Sequence, residues 1–196
     1  MKLSKPINPR GFTLIEILVV ITIIAILAAA GFAGGQFAIN QARKTTALAV
    51  CKEVELGVDN FFIEYGSLPT TTEGGDDETV KTDTDVEILE VLLGFESGTN
   101  PLNQKGLRLI EIKEGKGDRG GLIYNDAGDG VLGLYDPWGG PYNIALDTDY
   151  DDRLTVKPSG AASSKTLNGR RVAVWTDGAD VTEGGTGNIT DDVTTW

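Results

Sequence analysis

The sequence predicts an α+β protein, with a long amino-terminal helix packed on a small antiparallel β-sheet domain. Three observations lead there. From Phe12 to Ile39 the only formal charge is Glu16. Apolar residues then recur at Ala47, Cys51, Val54, Val58, Phe61 and Tyr65, at spacings of three and four, which is one face of a helix. Beyond Gly66 the apolar runs are short and punctuated by Gly, Asp and Pro, as in a sheet with tight turns.

The first element is the apolar run. As a helix, residues 12–39 extend roughly 42 Å, and the stretch up to Phe32 is long enough for the ~17–25 residues of a bilayer span. It is preceded by "MKLSKPINPRG", which carries Lys2, Lys5 and Arg10 and no acid, a flank that places the amino end in the cytoplasm. Such a segment can be a signal peptide cut after the apolar region, where "AILAAAG" supplies small residues. It can be a plain anchor, or a helix kept after a leader is cut away before it. Glu16 separates these. A carboxylate in the centre of a span costs about 2.5–3.5 kcal/mol, less near its end, and neither a signal peptide nor an anchor gains from it. Cleavage between Gly11 and Phe12 creates an amine one helical turn from Glu16, and paired opposite charges offset each other's desolvation.

"RGFTLIEILVVITIIAILAAA" resembles the class III signal of type IV pilins and type II secretion pseudopilins. The resemblance implies that a prepilin peptidase cuts after Gly11 and methylates Phe12, and that Glu16 meets the Phe12 amine of a neighbouring subunit during assembly. Residues 1–11 are then a leader. Its removal takes three of the 17 bases and leaves 14 against 29 acids, a net charge of −15.

The helix is expected to continue to about Tyr65 and to end at Gly66 and Pro69. Residues 12–35 would be its membrane or filament-core part. Gly31, Gly34 and Gly35 each weaken a helix by about 1 kcal/mol relative to Ala. They fit either a stretch that melts on assembly or close helix packing at small residues. Cys51, on the apolar stripe, reads as a buried structural residue.

In residues 66–196, "TTTEGGDDETVKTDTD" reads as a polar loop and "TDVEILEVLLG" (84–94) as a short helix stopped by Gly94. Strands are expected within 106–113, 121–125, 131–136, 141–147, 152–157 and 171–177. "FFIEYGSLPTTTEG" (61–74) and "DPWGGPYNIAL" (136–146) are similar to segments of the major pseudopilin of type II secretion. In the latter, Pro137 and Pro141 bracket a Gly139–Gly140 turn over Trp138 and Tyr142. The tail, "VWTDGADVTEGGTGNITDDVTTW" (174–196), is similar to that subunit's calcium loop. The resemblance points first to Asp180 and Asp192 as ligands and next to Asp177 and Asp191, with Trp196 anchoring the end. The usual turn is shorter than "TDGAD", which leaves Asp177 and Asp180 both open. Calcium's demand for six to eight hard oxygen ligands suits this acid- and glycine-rich chain. "DTDYDD" (147–152) has EF-hand-like acids, but Asp152 stands where a Gly is needed and Pro158 where a Glu is needed, so it reads as a turn, as does "NDAGDG" (125–130).

Composition narrows the function. The net charge of −12 argues against a nucleic-acid partner. With no histidine, the commonest general base is missing, and no enzyme is expected. One cysteine allows no intrachain disulfide. The expectation is a structural subunit of a type II secretion pseudopilus, a homopolymer drawn from the bacterial inner membrane. Its amino end would be cytoplasmic before cleavage and its domain periplasmic. The resemblance implies an assembly platform with an ATPase, and minor pseudopilins, as further partners. A type IV pilin for adhesion, motility or DNA uptake is the alternative; many of these close a carboxyl-terminal loop with two cysteines, which this chain lacks.

Overall fold

The structure, a computed structural model, describes residues 11–71, 75–96, 99–158, 161, 163–180 and 192–196. Two compact units are distinguished, residues 1–41 and 42–196. The expected α+β fold is present, with α1 at Leu14–Tyr65, α2 at Glu87–Leu93 and eight strands among the described residues. These are β1 (Glu78–Lys81), β2 (Gly121–Tyr124), β3 (Val131–Tyr135), β4 (Asn143–Leu146), β5 (Arg153–Val156), β6 (Lys165–Asn168), β7 (Val172–Thr176) and β8 (Val193–Thr194).

In the first unit the apolar side chains of α1 are exposed all round, from Leu14 (84% exposed) to Phe37 (73%). A helix apolar on every side is built for lipid or for other helices. By length and composition α1 is the one helix among the described residues that meets the requirement for a membrane span. Gly31 and Gly35 lie inside it, and a Cβ at either would meet nothing within 4 Å.

In the second unit α1 turns from uniform to striped. Ala47, Val50, Cys51, Val54, Val58 and Phe61 are buried, while Leu56 and Ile63 are exposed. The stripe packs in one core with Tyr142, Ile144 and Leu146 of the β4 segment, Val172 and Val174 of β7, and Ile88, Leu89 and Leu92 of α2. Burial drives the Cys51 thiol pKa upward, which keeps it protonated and unreactive. Gly66, at φ 73°, ends α1 with its N–H on the Phe62 carbonyl, and Gly94, at φ 72°, caps α2 in the left-handed conformation.

The central sheet runs β1-β4-β7-β8, antiparallel throughout. Strand alternation sends Ile144, Leu146, Val172 and Val174 toward the helical core. Their neighbours Ala145, Ala173 and Trp175 face a second core with Leu154, Val156 and Leu167 of the β5–β6 hairpin. The sheet is therefore covered on both faces, which is why β4 and β7 read as continuous apolar runs. Thr82 stitches the pieces together: its hydroxyl donates to Leu134 O (2.6 Å) and accepts from the Tyr142 N–H (2.8 Å).

Three strands come from stretches that read as loop or went unread: β1, β6 and the two-residue β8. The expected strand at 106–113 does not form. Ile110 and Ile112 are buried, but this segment lies against α1 rather than in a ladder, with the Glu111 N–H on Glu53 Oε1 (2.6 Å). Gly57 makes the approach possible, since a Cβ there would stand 2.4 Å from Ile110 Cγ2. Gly57→Ala should therefore lower stability by up to about 2 kcal/mol, because an overpacking cost of ~1–3 kcal/mol outweighs the ~1 kcal/mol gained in helix propensity. Urea unfolding of the variant checks this; a stabilised variant would contradict the close approach.

Candidate functional site

The predicted functional residues lie in two places, the start of α1 and the tail loop, and the 136–142 turn adjoins the second.

At the start of α1, Gly11, Phe12 and Thr13 precede the helix and are exposed, Phe12 to 80%. An exposed, irregular bond between Gly11 and Phe12 is what a peptidase needs. Among the described residues a Cβ at Gly11 would meet nothing within 4 Å. Lys2, Lys5 and Arg10 of the leader lie outside the described residues.

Glu16 is engaged in a way that the charge argument alone did not anticipate. Its Oε2 accepts the Thr13 N–H (2.7 Å) and the Thr13 hydroxyl (2.7 Å), and its own N–H donates to Thr13 Oγ1 (3.2 Å). This is a reciprocal capping box, which satisfies two backbone donors at the helix start. The T-x-x-E spacing ahead of an apolar run was the available signal. Oε1 accepts no hydrogen bond among the described residues, so the cap leaves half of the carboxylate for another donor.

The turn after β3 is organised by Asp136, fully buried and not singled out by sequence reasoning. Its Oδ1 accepts the N–H groups of Trp138 (2.8 Å), Gly139 (2.7 Å) and Gly140 (2.9 Å), and its Oδ2 accepts the Thr176 hydroxyl. Asp136 thereby ties the Gly139–Gly140 turn to the end of β7, where the tail loop begins. Tyr142 is buried as expected, and Trp138 packs at the margin of the same core. Burial pushes the Asp136 carboxyl above its ordinary range, opposed by the bonds from Thr176, Gly140, Trp138 and Gly139.

In the tail, Thr176 of β7 pairs with Val193 of β8. Asp177 and Asp192 are the next residues outward on each strand, so both stand at the mouth of the loop. Asp180 closes a short 3₁₀ turn, Gly178–Asp180, and its side chain lies outside the described part; Asp191 lies outside the described residues. Trp196 anchors the end edge-to-face on Trp175, ring centroids 5.5 Å apart. Lys52 of α1 donates to Thr195 O (2.9 Å), and Arg170 joins the same group through Glu55 (2.7 Å).

Asp136→Ala removes the side-chain acceptor of the Trp138, Gly139 and Gly140 N–H groups and of the Thr176 hydroxyl and should cost about 3 kcal/mol by denaturant unfolding, whereas Asp136→Asn, whose Oδ1 can still accept the three N–H groups and whose amide can donate to the Thr176 hydroxyl oxygen, should cost much less. A carboxyl whose folded pKa is raised contributes stability that is full below its unfolded pKa and lost as pH rises through the folded one. Asp136→Asn should therefore flatten the fall in stability above pH ~4 relative to the parent chain, as read from melting temperature against pH.

Residues 8–32 match the family described as the Prokaryotic N-terminal methylation motif. No curated protein and no solved structure matches the chain. The matched segment holds Gly11, Phe12 and Glu16, and with the long apolar helix and the antiparallel sheet it supports the type IV pilin-like superfamily, whose members are filament subunits processed by a prepilin peptidase.

Proposed function

We propose that the chain is a structural, non-enzymatic subunit of a type II secretion pseudopilus. After cleavage between Gly11 and Phe12, α1 holds the protein in the inner membrane as a single-pass subunit with its domain in the periplasm. Copies then join through their amino-terminal helices into a filament that drives protein export. An assembly platform with its ATPase supplies the work, and minor pseudopilins are the natural companions. The observation that carries the filament reading is Glu16, the lone formal charge from Phe12 to Ile39, with Oε2 used by its own cap and Oε1 left for an incoming amine. An ammonium from Phe12 of the next subunit offsets the desolvation of that carboxylate, so pairing favours the assembled state over the isolated span.

We also infer that the tail binds calcium as a structural ion. Asp177 and Asp192 supply carboxylates from the two sides of the loop mouth, and Asp180 and Asp191 lie within the loop between them. The ion would tie the end of β7 to the start of β8, next to the contacts of Trp196 with Trp175 and of Thr195 with Lys52.

Mass spectrometry of the mature protein should find Phe12 as a methylated amino terminus. Glu16→Ala should be cleaved normally yet reduce filament yield at least tenfold in sheared-filament assays. Normal filaments from Glu16→Ala would sink the pairing mechanism. Deletion should abolish export of secreted proteins; loss of surface fibres with export intact would favour a pilus. For the tail, calcium should raise the melting temperature over chelator, and Asp192→Ala should remove that part of the rise which magnesium does not reproduce.

A further inference from the structure

Charge is divided unevenly along this chain. Residues 76–96, which hold β1 and α2, carry eight acids and one base. Residues 153–176, which hold β5, β6 and β7, carry five bases and no acid. The fold sets α2 and the β5–β6 hairpin on opposite faces of the central sheet. α2 packs through Ile88, Leu89 and Leu92 into the core shared with α1, and the hairpin covers the other face through Leu154, Val156 and Leu167. Glu87 on the one side, and Lys157 and Lys165 on the other, are exposed and make no ion pair among the described residues. Their signs therefore add nothing visible to the stability of the single chain.

Between β1 and α2 lies a groove of about 400 Å³. Ile88, Val91 and Leu146 give it a buried aliphatic floor, and Asp85, Glu87 and Glu96 stand along it. Among the described residues no Lys or Arg lines it. Such a groove suits a long cationic side chain, which lays its methylene stem on the apolar floor and its charge among the carboxylates. Of the five bases in 153–176, three are engaged within their own chain. Arg170 is paired with Glu55, Arg171 lies 4.3 Å over the Phe62 ring, and Arg153 borders a cavity lined by acids. Lys157, just after β5, and Lys165, which opens β6, are the two left to face outward.

We propose that the domains of this chain meet front to back, with the Lys157 and Lys165 end of one copy's β5–β6 hairpin seated in the acidic groove between β1 and α2 of the next. This rests on the filament reading, which holds copies side by side, and names the contact their domains make. Charge selects the occupant. Without its leader the chain has 14 bases against 29 acids, so most ways of pairing two copies set acid against acid. A symmetric contact, groove to groove, does the same. Seating the acid-free hairpin in the groove brings opposite signs together, and it joins two different patches. A contact of that kind leaves one patch of each sort unused at the ends, so it propagates unless its rotation closes a ring. The two patches lie on opposite faces of the sheet, so the repeat passes through each copy to the one beyond.

The test uses filaments of the full mature chain. With Glu87→Cys and Lys157→Cys in one chain, mild oxidation should give a ladder of disulfide-linked multimers, and a mixture of the two single variants should stop at dimers. Cys51 is buried and stays out of the reaction. Lys157→Glu with Lys165→Glu should lower the yield of sheared filaments roughly tenfold, Glu87→Lys should do likewise, and all three together should restore it to within about threefold of the parent. All three residues are exposed, so these variants should keep the parent melting temperature. Normal parent filaments that give no ladder and tolerate both charge reversals overturn the contact and leave the filament reading standing. A parent chain that forms no filaments overturns both. A disulfide from Glu87→Cys to a different protein, with none between copies, gives the groove to an outside partner and also overturns the proposal.

Discussion

The seam formed by Ala47, Val50, Cys51, Val54, Val58 and Phe61 is the contact on which the second unit rests. The domain's sheet contains strands of only two to five residues, which bury little area by themselves. Its central strands β4 and β7 are stable because one face meets this helical stripe and the other meets the β5–β6 hairpin. The helix thus contributes one wall of a hydrophobic core that the rest of the second unit completes. At about 25 cal/mol per Å² of apolar surface, such a seam outweighs any single polar contact in the domain, and Gly57 shows how close its packing runs.

Polar groups then decide the details that burial leaves open. Asp136, Thr82 and Asn103 are each buried and each links separate segments by hydrogen bonds. Asn103 donates to Val91 O and Leu107 O (both 2.7 Å) and accepts from the Tyr65 hydroxyl, so it fastens the end of α1 to α2. A low-dielectric interior makes such networks exacting, since any bond left unmade there costs a full desolvation. The turn of residues 136–140 is held by such bonds, and the Thr176 hydroxyl on Asp136 links it to the mouth of the tail loop.

Much of the fold was legible because its signals are periodic. The stripe of α1, the stop at Gly94 and the runs that became β2, β3, β4, β5 and β7 all follow from spacing and from turn residues. What escaped lacks such a pattern. β1, "ETVK", is a polar edge strand with only one neighbour, and its partner β4 supplies the reason it exists. The 106–113 segment carries strand-like alternation, yet its apolar residues are claimed by α1 instead of a ladder, a choice made by tertiary packing that local pattern cannot express. At the sites, the special status of Gly11, Phe12 and Glu16 was readable from one charge in an apolar run. The capping box was equally readable and was overlooked. The opposite charges of α2 and the β5–β6 hairpin stand in the sequence, but only packing sets them on opposite faces of the sheet.

The two outermost strands of the central sheet carry a further consequence. β1 is four residues long and bears Glu78 and Lys81, and β8 is two residues long and is overlaid by contacts to Thr195. Neither offers a long, flat, apolar row of free backbone groups on which another sheet could grow. Copies of this domain crowded side by side would therefore resist fusing into a cross-β aggregate.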